Sequence, residues 1–320
     1  MDDKRNLIIA GVVFTALLAF VLATQTGDRG LSTVELPDAG MPAADALERV
    51  TIERPDRTVV LARDRETWRI ASPLSFPAAA RKVERLATRI EAFQPTDLID
   101  EGAGAGADYG LNTPTALALR VEGGGTTRTV WIGSPNESHT HTFVRLEPEG
   151  PVYQVLGDLR AQLDVPAEDW RSLQITDFSP DALIEVRLER EQGSDWRIVK
   201  EKVEEPVPAA EGSTATSTRV RMAWRADGEA MNEGVVNQYL NNLARLRAAA
   251  IAEEEVSDTA RIAMVSYRTQ TENGVLHLYA QDPETKQYRV RHGEGDTVYR
   301  IHEYQGKNFL KDLDTMRLNQ

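Results

Sequence analysis

The chain has 320 residues, 50 acidic against 37 basic, a formal net charge of −13 and no cysteine. The length corresponds to about two domains, and 41% apolar with 27% charged residues is the balance of a globular chain rather than a disordered one. Without cysteine there are no disulfides, no thiolate catalysis, no Cys-ligated zinc, no iron–sulfur cluster and no acylated lipoprotein anchor. The acidic excess argues against nucleic acid as a partner, because binding phosphate backbones needs clustered Lys and Arg.

The first element in chain order is apolar. Leu7 to Ala23 (LIIAGVVFTALLAFVLA) carries no charge, and the uncharged stretch from Asn6 to Thr26 would span roughly 31 Å as a helix, about one hydrocarbon core. Its Leu, Ile, Val and Phe residues supply roughly −3 to −7 kcal/mol toward insertion. A signal peptide cleaved after Val21-Leu22-Ala23 is the competing reading, but the apolar run exceeds the usual 7–15 residues of such a segment. Residues 1–26 are therefore expected to be a retained anchor in the inner (cytoplasmic) membrane, touching lipid through Leu7 to Ala23. Lys4 and Arg5 ahead of the segment put the remainder on the periplasmic side. Residues 27–44, rich in Gly, Pro and Asp, are expected to be a flexible tether.

Beyond residue 44 the chain repeats itself. Asp45–Arg54 reads DALERVTIER and Asp181–Arg190 reads DALIEVRLER. Two further echoes keep the same order: Thr67-Trp68-Arg69 against Ala223-Trp224-Arg225, and Val152-Tyr153-Gln154-Val155 against Val298-Tyr299-Arg300-Ile301. Three ordered echoes indicate a duplicated domain, 45–178 and 179–320. Each copy alternates apolar and polar residues over seven short segments, which is strand periodicity. Each also has one long amphipathic helix (77–93 and near 231–247) and a short closing helix. The expected class is α+β: mostly antiparallel sheet in the order β-β-β-α-β-β-β-β-α, twice, behind one transmembrane helix. Residues 201–218 (EKVEEPVPAAEGSTATST), polar and aperiodic, are expected to be a mobile insertion in the second copy.

Chemistry-bearing motifs are few. The G-x-G-x-G of Glu101–Gly110 lacks the preceding strand and following helix that a phosphate loop requires, so it reads as a connector. His139 and His141 would lie on one face of an extended strand, a geometry competent for a metal. The third ligand is missing, because His277, His292 and His302 belong to the other copy. Glu253-Glu254-Glu255 reads as a solvated charge run rather than a general acid and base. Trp68, Trp131, Trp196 and Trp224 fall on strands, where packing is the ordinary role and a sugar-stacking platform the alternative. No catalytic residue, cofactor or metal ligand is assigned.

One string is more specific. Tyr109-Gly110-Leu111-Asn112-Thr113-Pro114 comes after a W-x-[IL]-x-x-P segment (Trp68, Ile70, Pro73) and an amphipathic helix. It precedes a strand ending in Ile132-Gly133 and then V-Y-x-V. This order resembles the domain of unknown function DUF4340. The second copy keeps Trp224 but has Glu255 to Ala260 in place of YGL-x-x-P. The resemblance implies a membrane-anchored envelope protein linked with ABC-type transport systems of the gliding-motility kind, with a permease and an ATPase as partners. It carries no catalytic residue. Trp68, Pro73, Tyr109, Gly110, Leu111, Pro114, Gly133 and Trp224 are then family positions with a structural reading. The leading expectation is a non-enzymatic accessory or scaffold subunit; the alternative is a protein that binds or hydrolyses envelope glycan.

Overall fold

A computed structural model describes residues 35–112, 116–207, 217–254 and 256–318. The first copy contains β1 (Leu47–Glu53), β2 (Thr58–Asp64), β3 (Thr67–Ser72), β4 (Phe76–Pro77), helix α1 (Ala80–Glu91) and β5 (Pro95–Asp100). It continues through β6 (Leu117–Gly123), β7 (Thr126–Pro135), β8 (His141–Arg145), β9 (Val152–Leu156) and α2 (Leu159–Leu163). The second copy contains β10 (Leu183–Arg190), β11 (Trp196–Val207), β12 (Ser217–Ala226), β13 (Glu229–Ala230), α3 (Glu233–Ala244) and β14 (Ala250–Ile251). It ends with β15 (Arg261–Thr269), β16 (Asn273–Gln281), β17 (Tyr288–His292), β18 (Val298–Ile301) and α4 (Glu303–Phe309).

Each copy makes its own nine-stranded sheet, and the two strand orders are the same: β4-β3-β2-β1-β6-β7-β8-β9-β5 and β13-β12-β11-β10-β15-β16-β17-β18-β14. The registered pairs are antiparallel. The duplication read from sequence echoes is thus a duplication of topology. Contacts divide the chain into two compact units, one built around residues 84–167 and the other around 168–320.

The repeated string D-A-L-x-x-V-x-[IL]-E-R has a physical cause. Leu47 and Val50 are both fully buried although they are three apart, an odd spacing that a regular strand would send to opposite faces. A bulge between Leu47 and Arg49 inserts one extra residue against β6 and restores both side chains to the core. The second copy does the same: Leu183 and Val186 are fully buried and a bulge lies between Leu183 and Glu185 against β15.

The helices supply the matching apolar stripes. Val83, Leu86, Ala87 and Ile90 of α1 are buried, while Glu84, Arg85, Thr88 and Arg89 face out. In α3 the buried positions are Val236, Tyr239, Leu240, Leu243 and Ala244, and Asn232 caps the helix by accepting from the amides of Gly234 and Val235. The α3 stripe packs in one cluster with Val186 and Leu188 of β10, Leu276 and Leu278 of β16, and Val290 of β17. Burying each such side chain contributes about 1.5–3 kcal/mol relative to leaving it exposed.

Two expectations are corrected. The class is a duplicated, β-rich, two-sheet fold of α+β-like character, and the transmembrane helix expected ahead of it is not found among the described residues. Periodicity alone shows seven strands per copy where nine exist, because β4, β5, β13 and β14 are short or irregularly alternating edge strands. Several central strands also outrun their alternating cores. The single-pass inner-membrane placement is likewise not supported. Among the described residues no helix is long and apolar enough to cross a membrane. The two longest, α1 and α3, have 12 residues each, about 18 Å against the roughly 30 Å of a hydrocarbon core. The segment Leu7 to Ala23, through which lipid contact was expected, lies outside the described residues.

Two stretches read as irregular carry defined contacts. In the expected tether, Asp38 accepts from the Gly40 amide at 2.8 Å and from Gln94 at 3.0 Å, and Arg128 donates to the Gly40 carbonyl. In the expected insertion, β11 runs on to Val207 and β12 begins at Ser217.

Candidate functional site

The strand order dictates where a surface loop must go. β5 lies at one edge of its sheet and β6 in the centre, so the chain between them has to cross β9, β8 and β7. The same holds for the connection from β14 to β15 across β18, β17 and β16. The two crossings have opposite chemistry.

In the first copy the crossing is a seal. Tyr109 packs at a tilt against Phe143 of β8 with ring centroids 4.7 Å apart, and the Tyr109 carbonyl accepts from the Ser134 amide of β7 at 2.8 Å. Leu111 is buried, and its amide donates to the Gly106 carbonyl at 2.7 Å. Gly110 takes a left-handed φ of +68°, which suits glycine. Gly133 is required by the same contact: a Cβ there would sit 2.2 Å from the Tyr109 carbonyl oxygen.

In the second copy the crossing is an acidic loop laid over arginines. Arg289 and Arg291 alternate along β17, so both project from the face opposite the core, and Arg300 of β18 stands directly opposite Arg289. Glu254 approaches Arg300 at 3.5 Å and Arg289 at 3.9 Å. Asp258 accepts from Arg291 at 2.6 Å and from the Tyr279 hydroxyl at 3.2 Å. The Arg291 hydrogen bond, above all, holds the Asp258 carboxyl below its ordinary range. His277, opposite Arg291 on β16, lies 3.5 Å from Arg261. Its burial, followed by the positive charge of Arg291 and Arg261, pushes its imidazole below the ordinary value. A cleft of about 790 Å³ adjoins this face, lined by Arg190, Glu191, Asp258, Arg261, Ile262 and Leu310 among others. Arg190 is committed there to structure: it pairs with Asp312 and donates to the carbonyls of Leu310 and Lys311. Guanidinium forks on a half-buried sheet face are suited to holding an oxyanion or a carboxylate.

The residues singled out from sequence are distributed differently. Tyr109, Gly110, Leu111 and Gly133 come together in the first-copy seal; Pro114 lies outside the described residues. Trp68 is half-buried on β3, its carbonyl accepting from the Ala78 amide, and Pro73 is exposed in the turn after that strand. Trp224 and Trp196 are core residues; Trp196 donates to the Lys311 carbonyl and Lys200 lies over the Trp224 ring. His139 is not on a strand: it sits in the turn before β8 with φ +55° and bonds Asp158, while His141 opens β8 and bonds Thr140. His292 bonds the Tyr267 hydroxyl and His302 caps α4. Among the described residues no group of three or more His, Cys, Asp or Glu could hold a metal ion. Glu254, read as part of a solvated run, bridges two arginines, and Glu255 lies outside the described residues. Sequence reasoning missed the arginine face. The alternation Arg289-Val290-Arg291 signals two of its members; nothing local signals that Arg300 pairs beside them.

Along the chain, Trp68 is followed by α1, then by the docked Tyr109-Gly110-Leu111 and its Gly133 seat. Residues 68–264 match the family model of a domain of unknown function, DUF4340. The chain belongs to the DUF4340 family. No curated protein and no solved structure matches the chain. The DUF4340 match starts on β3, takes in the whole YGL seal and stops within β15. Arg289, Arg291 and Arg300 therefore lie beyond the DUF4340 match, on β17 and β18.

Proposed function

We propose that this protein is a non-enzymatic accessory or scaffold subunit that docks protein partners. The assembly it serves is the permease and ATPase of an ABC-type transport system of the gliding-motility kind, which is what the family resemblance implies. One observation carries the docking role. β10 pairs with β11 only over Trp196–Val199, yet β11 and β12 stay paired out to Val207 and Ser217. Beyond Val199 the hairpin is therefore a two-stranded arm with no third strand beside it among the described residues. On one face of the arm Val220 and Met222 are 57% and 48% exposed. An isolated two-stranded ribbon is marginal in water, and its free edges and apolar face are the surfaces by which a partner adds a strand. The corresponding first-copy hairpin, β2–β3, turns after Asp64 and has no such arm.

Affinity purification in mild detergent tests this. The full chain should recover a permease and its ATPase, and Val220→Glu with Met222→Glu should lose them while the protein stays folded. Recovery of neither from wild-type protein, across several detergents, rejects the reading. No observation favours the glycan alternative, since Trp196 and Trp224 are spent on the core.

A further inference from the structure

We propose that the outer face of β17 and β18 is an oxyanion site that takes the phosphate or diphosphate group of a small soluble ligand between Arg289 and Arg300, with Glu254 as its built-in stand-in. This is independent of the docking arm.

Three guanidinium groups share one patch. Arg289 and Arg300 are direct cross-strand partners, and Arg291 lies two residues from Arg289 on the same face. Like charges directly opposite one another on a sheet are unfavourable unless something neutralises them. What the protein itself supplies is incomplete. Glu254 bridges the two with one oxygen 3.5 Å from Arg300 and the other 3.9 Å from Arg289, both longer than the 2.7–3.2 Å of a hydrogen bond. The third guanidinium of the patch closes fully, Asp258 to Arg291 at 2.6 Å, as do Glu185 to Arg197 and Arg268 elsewhere in the copy, whereas Arg261 to Glu191 at 3.7 Å is as open as the Glu254 pairs. The Nε atoms of Arg289 and Arg291 are buried with no hydrogen-bond partner among the described residues.

The layering points the same way. The side chains of Arg289, Arg291 and Arg300 are only 27%, 21% and 30% exposed, whereas Glu254 is 63% exposed. The cations form a half-buried floor, and Glu254, the carboxylate that bridges two of them among the described residues, lies on top of it; the Asp282 carboxyl, lowered chiefly by the Thr285 amide, also feels Arg300. A tetrahedral dianion in its place would supply two charges for two guanidinium groups. It would also supply enough acceptor oxygens for bidentate bonds to each. In a chain of net charge −13, three guanidinium groups on one sheet face are a local concentration of positive charge.

Titration calorimetry on the full chain with pyrophosphate, inorganic phosphate and citrate tests the assignment. Pyrophosphate should bind the wild-type protein. Glu254→Gln should tighten that binding about tenfold by removing the competing carboxylate, and this exposed substitution leaves the core untouched. Arg300→Lys, which keeps the charge but loses the fork, and Arg289→Gln should each weaken binding about tenfold or more, with urea midpoints unchanged. No pyrophosphate binding to either wild-type or Glu254→Gln protein overturns the proposal. So does binding insensitive to both arginine substitutions, and so does citrate binding as tightly as pyrophosphate.

Discussion

Glu185 stands just past the second-copy bulge and accepts 2.6 Å hydrogen bonds from Arg197 and Arg268, one on each oxygen. The Arg197 bond, and after it the Arg268 bond, lower its carboxyl from an ordinary 4.5 to about 2. A depressed carboxylate contributes stability that is complete above its unfolded value and is lost as pH falls through its folded value. The window here is therefore from about pH 4.5 down to about 2. Both arginines are about half exposed, so solvent screening reduces the contribution to about 1 kcal/mol. Urea unfolding at pH 5 and pH 3 should show Glu185→Gln losing about 1 kcal/mol less than wild type over that interval; equal losses would clear the carboxylate of the role. At the same scale, Gly133→Ala places a methyl group against the Tyr109 carbonyl oxygen and Leu111. It should cost about 1–3 kcal/mol. Gly234→Ala, whose Cβ would meet only Asn232 Oδ1 at 3.4 Å, should be neutral or slightly stabilising. Equal urea midpoints for the two variants would mean that the YGL segment is not tightly seated.

Among the elements, β1 and β10 show how a short spacing encodes a distortion. Leu-x-x-Val reads as a fault in a period-2 strand until the bulge is seen, and then the fault is the signal. Deleting Glu48, the extra residue between Leu47 and Arg49, leaves Leu47 two residues from Val50, the same-face spacing of a regular strand, so Leu47 should stay in the core. The cost should therefore fall well short of losing a buried leucine, about 2–5 kcal/mol, and Glu48→Ala should change little. Denaturant midpoints of the two variants make the comparison. The arm gives a similar expectation for a longer deletion. Replacing residues 202–222 by Asn-Gly rejoins the paired Glu201 and Ala223 and takes Val220 and Met222 away, so the stability from urea unfolding should hold within about 1 kcal/mol while partner recovery is lost. A large drop in midpoint would show that the arm is part of the core and not a docking element.

For the whole molecule, charge and topology set the limits. The excess of 50 acidic over 37 basic residues should keep polyanions away. Duplex DNA at low salt should therefore not be retarded by the full chain in a gel, even if a small dianion reaches Arg289 and Arg300. The sequence by itself determined the duplication, most of the strands, the faces of both long helices and the unusual character of Tyr109-Gly110-Leu111. Those features are carried by periods of 2 and 3.6 residues and by local echoes, which lie within a few residues of one another. Only the tertiary structure decided which strands close the edges, since β5 and β14 exist by pairing with β9 and β18 far along the chain. It alone decided that the loops after them cross the sheets. It alone brought Arg300 beside Arg289 and Glu254 over both. Such meetings depend on register between distant strands, and register is set by the folded sheet rather than by any one strand's own residues.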